Sequence, residues 1–204
     1  FQKLYWKLLK DPTVSIKTKF HSFFHLLNSS MFLLVLLIAV LSVPVLYIQN
    51  TNPAYSGYLN VVAFFAVSTV IFFGCYWVTY KRIHGGGLKN FIKYIGMFFT
   101  FFSIAMGFSV HNSLAVLEGH FGKKSEFIRT PKFNVDKLKN NWKNNIYLSD
   151  KLSVNMIIET ILCLYFGFAI YSAFVVNNYG LLLFHIMLFL GFGFVAFKSL
   201  FAKI

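Results

Sequence analysis

Acidic side chains are scarce in this sequence: six Asp and Glu among 204 residues, against nineteen Lys and Arg. There is no paired-carboxylate motif such as DxD and no GxSxG nucleophile motif. A metal-dependent transferase needs carboxylates to hold its cation, so these residues alone do not make a complete enzyme of that kind. Cysteine is almost as rare. Cys75 and Cys163 both fall inside apolar runs, where a thiol behaves as a small hydrophobe, and there is no disulfide framework or CxxC zinc pattern. The longest absence is of charge itself: residues 20–80, 94–117 and 160–197 contain no Asp, Glu, Lys or Arg.

What fills those runs is apolar. The chain is 57% hydrophobic and 20% aromatic, with only 12% charged residues, which excludes an ordinary soluble domain. About 20 residues of helix cross the hydrocarbon core of a bilayer, so the runs predict an all-α integral membrane protein. The first run divides at "IQNTNPAYSG" and the last at "NNYG", both rich in turn formers. That division predicts spans near 26–48, 57–79, 154–176 and 180–200. The net charge of +13 does not point to nucleic acid, because basic residues beside apolar spans mark the cytoplasmic face, whereas nucleic-acid binders gather them on a soluble fold.

Segment 91–119, "FIKYIGMFFTFFSIAMGFSVHNSLAVLEG", is also long enough to cross, and the charges decide its placement. If it does not cross, all nineteen Lys and Arg lie on one side: five before the first span, four in 80–93, eight in 120–153, and Lys198 and Lys203. The opposite loops, 49–56 and 177–179, then hold none. If it does cross, the count becomes nine against ten. The positive-inside rule therefore predicts four transmembrane helices with both ends cytoplasmic, a multi-pass protein of the cell (inner) membrane. The segment's pattern agrees, since Lys93, Gly96, Thr100, Ser103, Gly107, His111 and Glu118 form a polar and small stripe at helical spacing. That stripe predicts one long amphipathic helix lying in the interface. A spanning helix whose stripe packs on neighbours is the alternative.

Individual residues offer several chemistries. Arg129 presents a planar fork of donors and Lys132 a point charge, a pair suited to phosphate oxygens. Phe127 and Phe133 bracket them as possible loop anchors, and a solvated basic loop drawn to anionic headgroups is the plainer alternative. His21 and His25 stand four apart but lack a third ligand or an HExxH arrangement, so no metal is assigned. His185 falls inside the last span, where an ionisable group either faces a polar interior or is a neutral ring bonded to a neighbouring helix. With Glu159 and His111 it could line a polar path; Glu159 lies near the end of its span, where partial solvation could suffice. Gly85-Gly86-Gly87 lacks the GK[ST] ending of a phosphate loop and reads as a flexible joint. Trp6, Trp77 and Trp142 fall near expected membrane edges.

Two segments carry a resemblance. "HSFFHLLNSSMFLLVLLIAVLSVPVLYI" and "MGFSVHNSLAVLEGHFGKKSEFIRTPKFN" resemble the membrane-embedded C-terminal half of bacterial processive-type family-2 glycosyltransferases, relatives of cellulose synthase. The chain starts with the basic, aromatic "FQKLYWKLLKDP", which lacks a signal-peptide core and reads as the continuation of something larger. The resemblance implies that a soluble transferase domain precedes these helices and carries the catalytic carboxylates and a divalent cation; no cofactor is assigned to this chain. It also implies a cytoplasmic gating loop of the form FxVTxK over a nucleotide-sugar. Phe127, Thr130 and Lys132 match that form, and Arg129 replaces its Val. Thr130 and Lys132, with Arg129 beside them, would approach the diphosphate.

The family's acceptor motif QxxRW is met only as Gln2, Tyr5 and Trp6, without the Arg, so no acceptor role is carried over. The implied organisation is a basic interfacial lead-in from a catalytic domain (1–25), a first transmembrane hairpin (26–79), a linker and interfacial helix (80–119), the cytoplasmic loop (120–153) and a second hairpin (154–204). The implied partners are membrane lipids, a nucleotide-sugar, and a glycan or lipid acceptor, but not nucleic acid. Two other functions fit the residues: a transporter or channel subunit with His185, Glu159 and the small-residue stripe lining a path, and a structural module that recruits anionic lipid or a partner through its basic loop.

Overall fold

In a computed structural model of the protein, residues 2–55, 57, 67–123 and 154–201 are described. The described residues are almost wholly helical and include no strand. In hydrocarbon every backbone N–H and C=O must be satisfied internally, which a helix does segment by segment. Among the described residues, four helical stretches are long and apolar enough to cross a membrane: Ile16–Thr51, Leu88–Gly107, Val154–Val175 and Leu182–Leu200. The protein is an all-α membrane protein.

The lead-in contains α1 (Gln2–Lys10) and α2 (Ile16–Leu27). Asp11 closes the turn between them by accepting from the Thr13 backbone N–H and hydroxyl. Ser15 caps α2, its hydroxyl oxygen accepting from the Thr18 N–H at 3.2 Å. A 3-10 turn, Asn28–Ser30, joins α2 to α3 (Met31–Thr51). The next helix, α4, is described over Val67–His84; residue 56 and residues 58–66, the latter in the expected second span, lie outside the described residues.

Helix α4 folds back on α5 (Leu88–Gly107). Tyr94 donates to the Phe73 carbonyl at 2.5 Å, and Trp77–Phe91 and Phe73–Phe98 make edge-on ring pairs. These contacts define an antiparallel hairpin. The triple glycine between the helices forms a tight turn. Gly85 and Gly87 have φ of +81° and +106°, a region that a Cβ disfavours, and the Asn90 amide donates to the His84 carbonyl at 2.8 Å.

Segment 91–119 departs from the single helix that its stripe predicts. It forms two helices, α5 and α6 (Ser109–His120), separated by a turn at Phe108 with φ −76° and ψ −4°. The interruption follows Gly107, which lies against Gly191 on the neighbouring helix. A Cβ on Gly191 would collide with the Ser103 carbonyl, and one on Gly107 with the Gly191 carbonyl. Close approach of two backbones through small residues is how helices associate without a hydrophobic drive between them. The stripe is thus partly a packing seam, and α6 leaves it to pack on α3.

The last two helices are α7 (Val154–Val175) and α8 (Leu182–Phe201). The "NNYG" turn between them is built on Asn177, whose φ of +53° is a conformation that asparagine tolerates. The Asn178 N–H bonds to the Ala173 carbonyl and the Asn177 N–H to the Phe174 carbonyl, a Schellman closure. Ala39 and Val43 of α3, Val110 of α6, Phe166 and Ala169 of α7, and Leu188 and Phe192 of α8 form one buried cluster. Within it, Phe166 and Phe192 stack at 5.6 Å.

Candidate functional site

Polar side chains inside this bundle are few, and nearly all sit where α3, α6, α7 and α8 meet. The seam begins with Pro44 in the middle of α3. Proline has no N–H, so the carbonyl four residues earlier, Val40, loses its helical partner. Tyr165 of α7 supplies one, donating its hydroxyl to Val40 C=O at 2.7 Å. Two further contacts join the same helices. Tyr47 donates to the Ser172 hydroxyl at 2.8 Å, and the Asn178 amide donates to Gln49 Oε1 at 3.0 Å. Positions 40, 47 and 49 meet 165, 172 and 178 in increasing order, so α3 and α7 run in the same direction. The end of α3 and the α7–α8 turn therefore share one end of the bundle, while the starts of α3 and α7 share the other.

His185 is wholly buried on α8. Ser42 donates its hydroxyl to the Ala39 carbonyl at 2.6 Å and lies 2.9 Å from His185 Nε2. Because the single hydroxyl proton is committed to Ala39, the assignment that satisfies both contacts is a neutral imidazole with Nε2–H donating to Ser42 Oγ. Its Nδ1 has no partner among the described residues, and its ring packs near Phe166. Of the two sequence readings, the neutral ring bonded across helices is the one this geometry fits.

Glu159 and His111 form the second polar locus. Glu159 is fully buried on α7, and His111 Nδ1 of α6 lies 2.7 Å from its Oε1, with the imidazole side chain 42% exposed. Solvation of Glu159 at the helix end, which its sequence position suggests, gives way to burial against the His111 imidazole. The contact is one of proximity: neither carboxylate oxygen has a well-aligned hydrogen bond among the described residues. A buried carboxylate needs such a partner, since taking an unpaired charge from water is expensive. Glu159 stands seven residues, about 10 Å of helix, before Phe166, beside which His185 lies. His111 and Glu159 are thus brought together, and His185 belongs to a separate contact.

The other expected site residues, Phe127, Arg129, Thr130, Lys132 and Phe133, lie outside the described residues, as does Trp142. His21 and His25 are exposed on α2. Among the described residues no three His, Cys, Asp or Glu side chains gather in a group that could hold a metal ion. Ser42, Tyr47, Tyr165 and Ser172 are not singled out by sequence patterns. The one available signal was Pro44, whose orphaned carbonyl demands a donor from elsewhere. Comparison with protein-family models, with curated proteins and with solved structures gave no match.

Proposed function

We propose that the chain is the membrane-embedded part of a family-2 glycosyltransferase that moves a sugar from a nucleotide-sugar donor to a glycan or lipid acceptor. The observation that carries this reading is the contiguous "MGFSVHNSLAVLEGHFGKKSEFIRTPKFN", with its Phe127, Thr130 and Lys132 at the gating-loop positions. In this reading the acceptor hydroxyl displaces the nucleoside diphosphate at the anomeric carbon. A base and a divalent cation come from a transferase domain. Thr130 and Lys132 close over the diphosphate, excluding water and stabilising the leaving group.

The described helices fit that role in one respect. Helix α6, which leads into the segment bearing the loop, is tied to the spanning helix α7 through His111 and Glu159, giving a lid a fixed base. For the transporter reading, which joins His185 and Glu159 in one path, the geometry offers two separate contacts, His185 Nε2 with Ser42 and Glu159 with His111. In the same reading both chain ends lie on the cytoplasmic face of the cell membrane. Lys132→Ala in the protein carrying its transferase domain is expected to lower sugar transfer about tenfold or more, with membrane insertion unchanged. Transfer at the original rate would remove the lid assignment.

A further inference from the structure

The lead-in helices carry an arrangement that glycosyl transfer does not use. On α1, Trp6, Lys7 and Lys10 follow one another at spacings of one and three, which places them on one face. On α2, Ile16, Lys17, Phe20 and Phe24 do the same. The two helices meet along residues that flank these stripes. Tyr5 packs on Phe23 at 5.6 Å, and the Lys19 ammonium donates to the Leu9 carbonyl at 2.8 Å. Trp6, Ile16, Phe20 and Phe24 remain 59–86% exposed, and Lys7, Lys10 and Lys17 are exposed beside them.

Three observations say what covers these stripes. Helix α2 runs through the 3-10 turn into α3 as one apolar stretch, Ile16–Thr51, so a bilayer surface is a few turns away. The stripes mix aromatic rings with ammonium groups, which is the composition of a membrane interface and not of a protein core. The charge is of one sign. Asp11 is the sole acidic residue before Glu118, and it is engaged by Thr13, whose hydrogen bonds hold its carboxyl below the ordinary range.

We infer that the paired stripes of α1 and α2 dock on anionic phospholipid headgroups, with Trp6, Phe20 and Phe24 entering the interface and Lys7, Lys10 and Lys17 meeting lipid phosphates. The docking does not depend on the glycosyltransferase reading. Long lysine stems lay their methylenes on the apolar boundary while the ammonium groups reach the phosphate layer.

The test places the chain, with Trp77→Phe and Trp142→Phe, in nanodiscs and follows Trp6 fluorescence. Brominated phosphatidylglycerol or brominated phosphatidylcholine is the quencher, each at the same low mole fraction. Brominated phosphatidylglycerol is expected to quench about fivefold more strongly, the preference of a single lysine near an anionic surface. Lys7→Gln/Lys10→Gln/Lys17→Gln is expected to bring the ratio to about one, with the circular dichroism spectrum unchanged. Equal quenching of the lysine-bearing protein by both lipids would overturn the inference. So would no quenching by either, which would mean that another protein surface covers Trp6.

Discussion

A carboxylate and an imidazole 2.7 Å apart do not have equal need of each other here. Glu159 is fully buried and His111 is nearly half exposed. Removing the imidazole strands a charge or forces it to take a proton, whereas removing the carboxylate leaves a ring that solvent can reach. His111→Ala is therefore expected to destabilise the protein by about 1–3 kcal/mol, and Glu159→Gln by clearly less. Combining the two should cost less than the sum of the separate losses. Thermal unfolding in detergent measures all three, and equal losses for the single variants would contradict the asymmetry. The sequence identified both residues as candidates, because ionisable groups beside or within spans attract attention. It did not pair them, since they are 48 positions apart on helices whose facing directions only packing decides. His185 shows the opposite limit: the residue type suggested either a path or a bond across helices, and the contact it makes is with a serine, Ser42, that no pattern distinguishes from its apolar surroundings.

Helices were legible from hydropathy where composition alone decides them. Helix α7 occupies Val154–Val175 against an expected 154–176, and α8 occupies Leu182–Phe201 against 180–200. The break in 91–119 was not legible: it follows Gly107, which packs on Gly191, a residue far away in sequence. Pro44 lies between these cases. Its orphaned carbonyl follows from covalent structure, while the donor that answers it comes from the neighbouring helix. Tyr165→Phe should leave Val40 C=O unsatisfied in a medium without water, costing about 1–3 kcal/mol. In a Pro44→Ala background the backbone N–H restored at position 44 takes up that carbonyl, so the same Tyr165→Phe change should cost under about 0.5 kcal/mol. A thermodynamic cycle of the four proteins reads this coupling directly. A Tyr165→Phe cost that is the same in both backgrounds would show that the hydroxyl serves something other than the proline.

For the whole molecule, the shared direction of α3 and α7 constrains how often the chain crosses. The contacts Val40–Tyr165, Tyr47–Ser172 and Gln49–Asn178 start both helices at the same end of the bundle. After α3 crosses, the intervening chain must return, which takes an odd number of crossings. Helix α6 has twelve residues and is too short, at about 18 Å; segment 124–153 is too highly charged. The return therefore falls to one member of the antiparallel α4–α5 hairpin and not to both. Length and apolarity alone admit α5, Leu88–Gly107, but its crossing in place of α4 would strand Lys81, Arg82, Lys89 and Lys93 at the far end. With α4 crossing, all nineteen basic residues share one face, and the positive-inside rule favours that arrangement. Single cysteines in a Cys75→Ala/Cys163→Ala background test it with a membrane-impermeant thiol reagent. Cysteines at Lys89 and Lys123 are expected to react from the same side, and one at Asn52 from the opposite side. Labelling at Lys89 from the Asn52 side would show that α5 makes the crossing and would remove the charge argument for this topology.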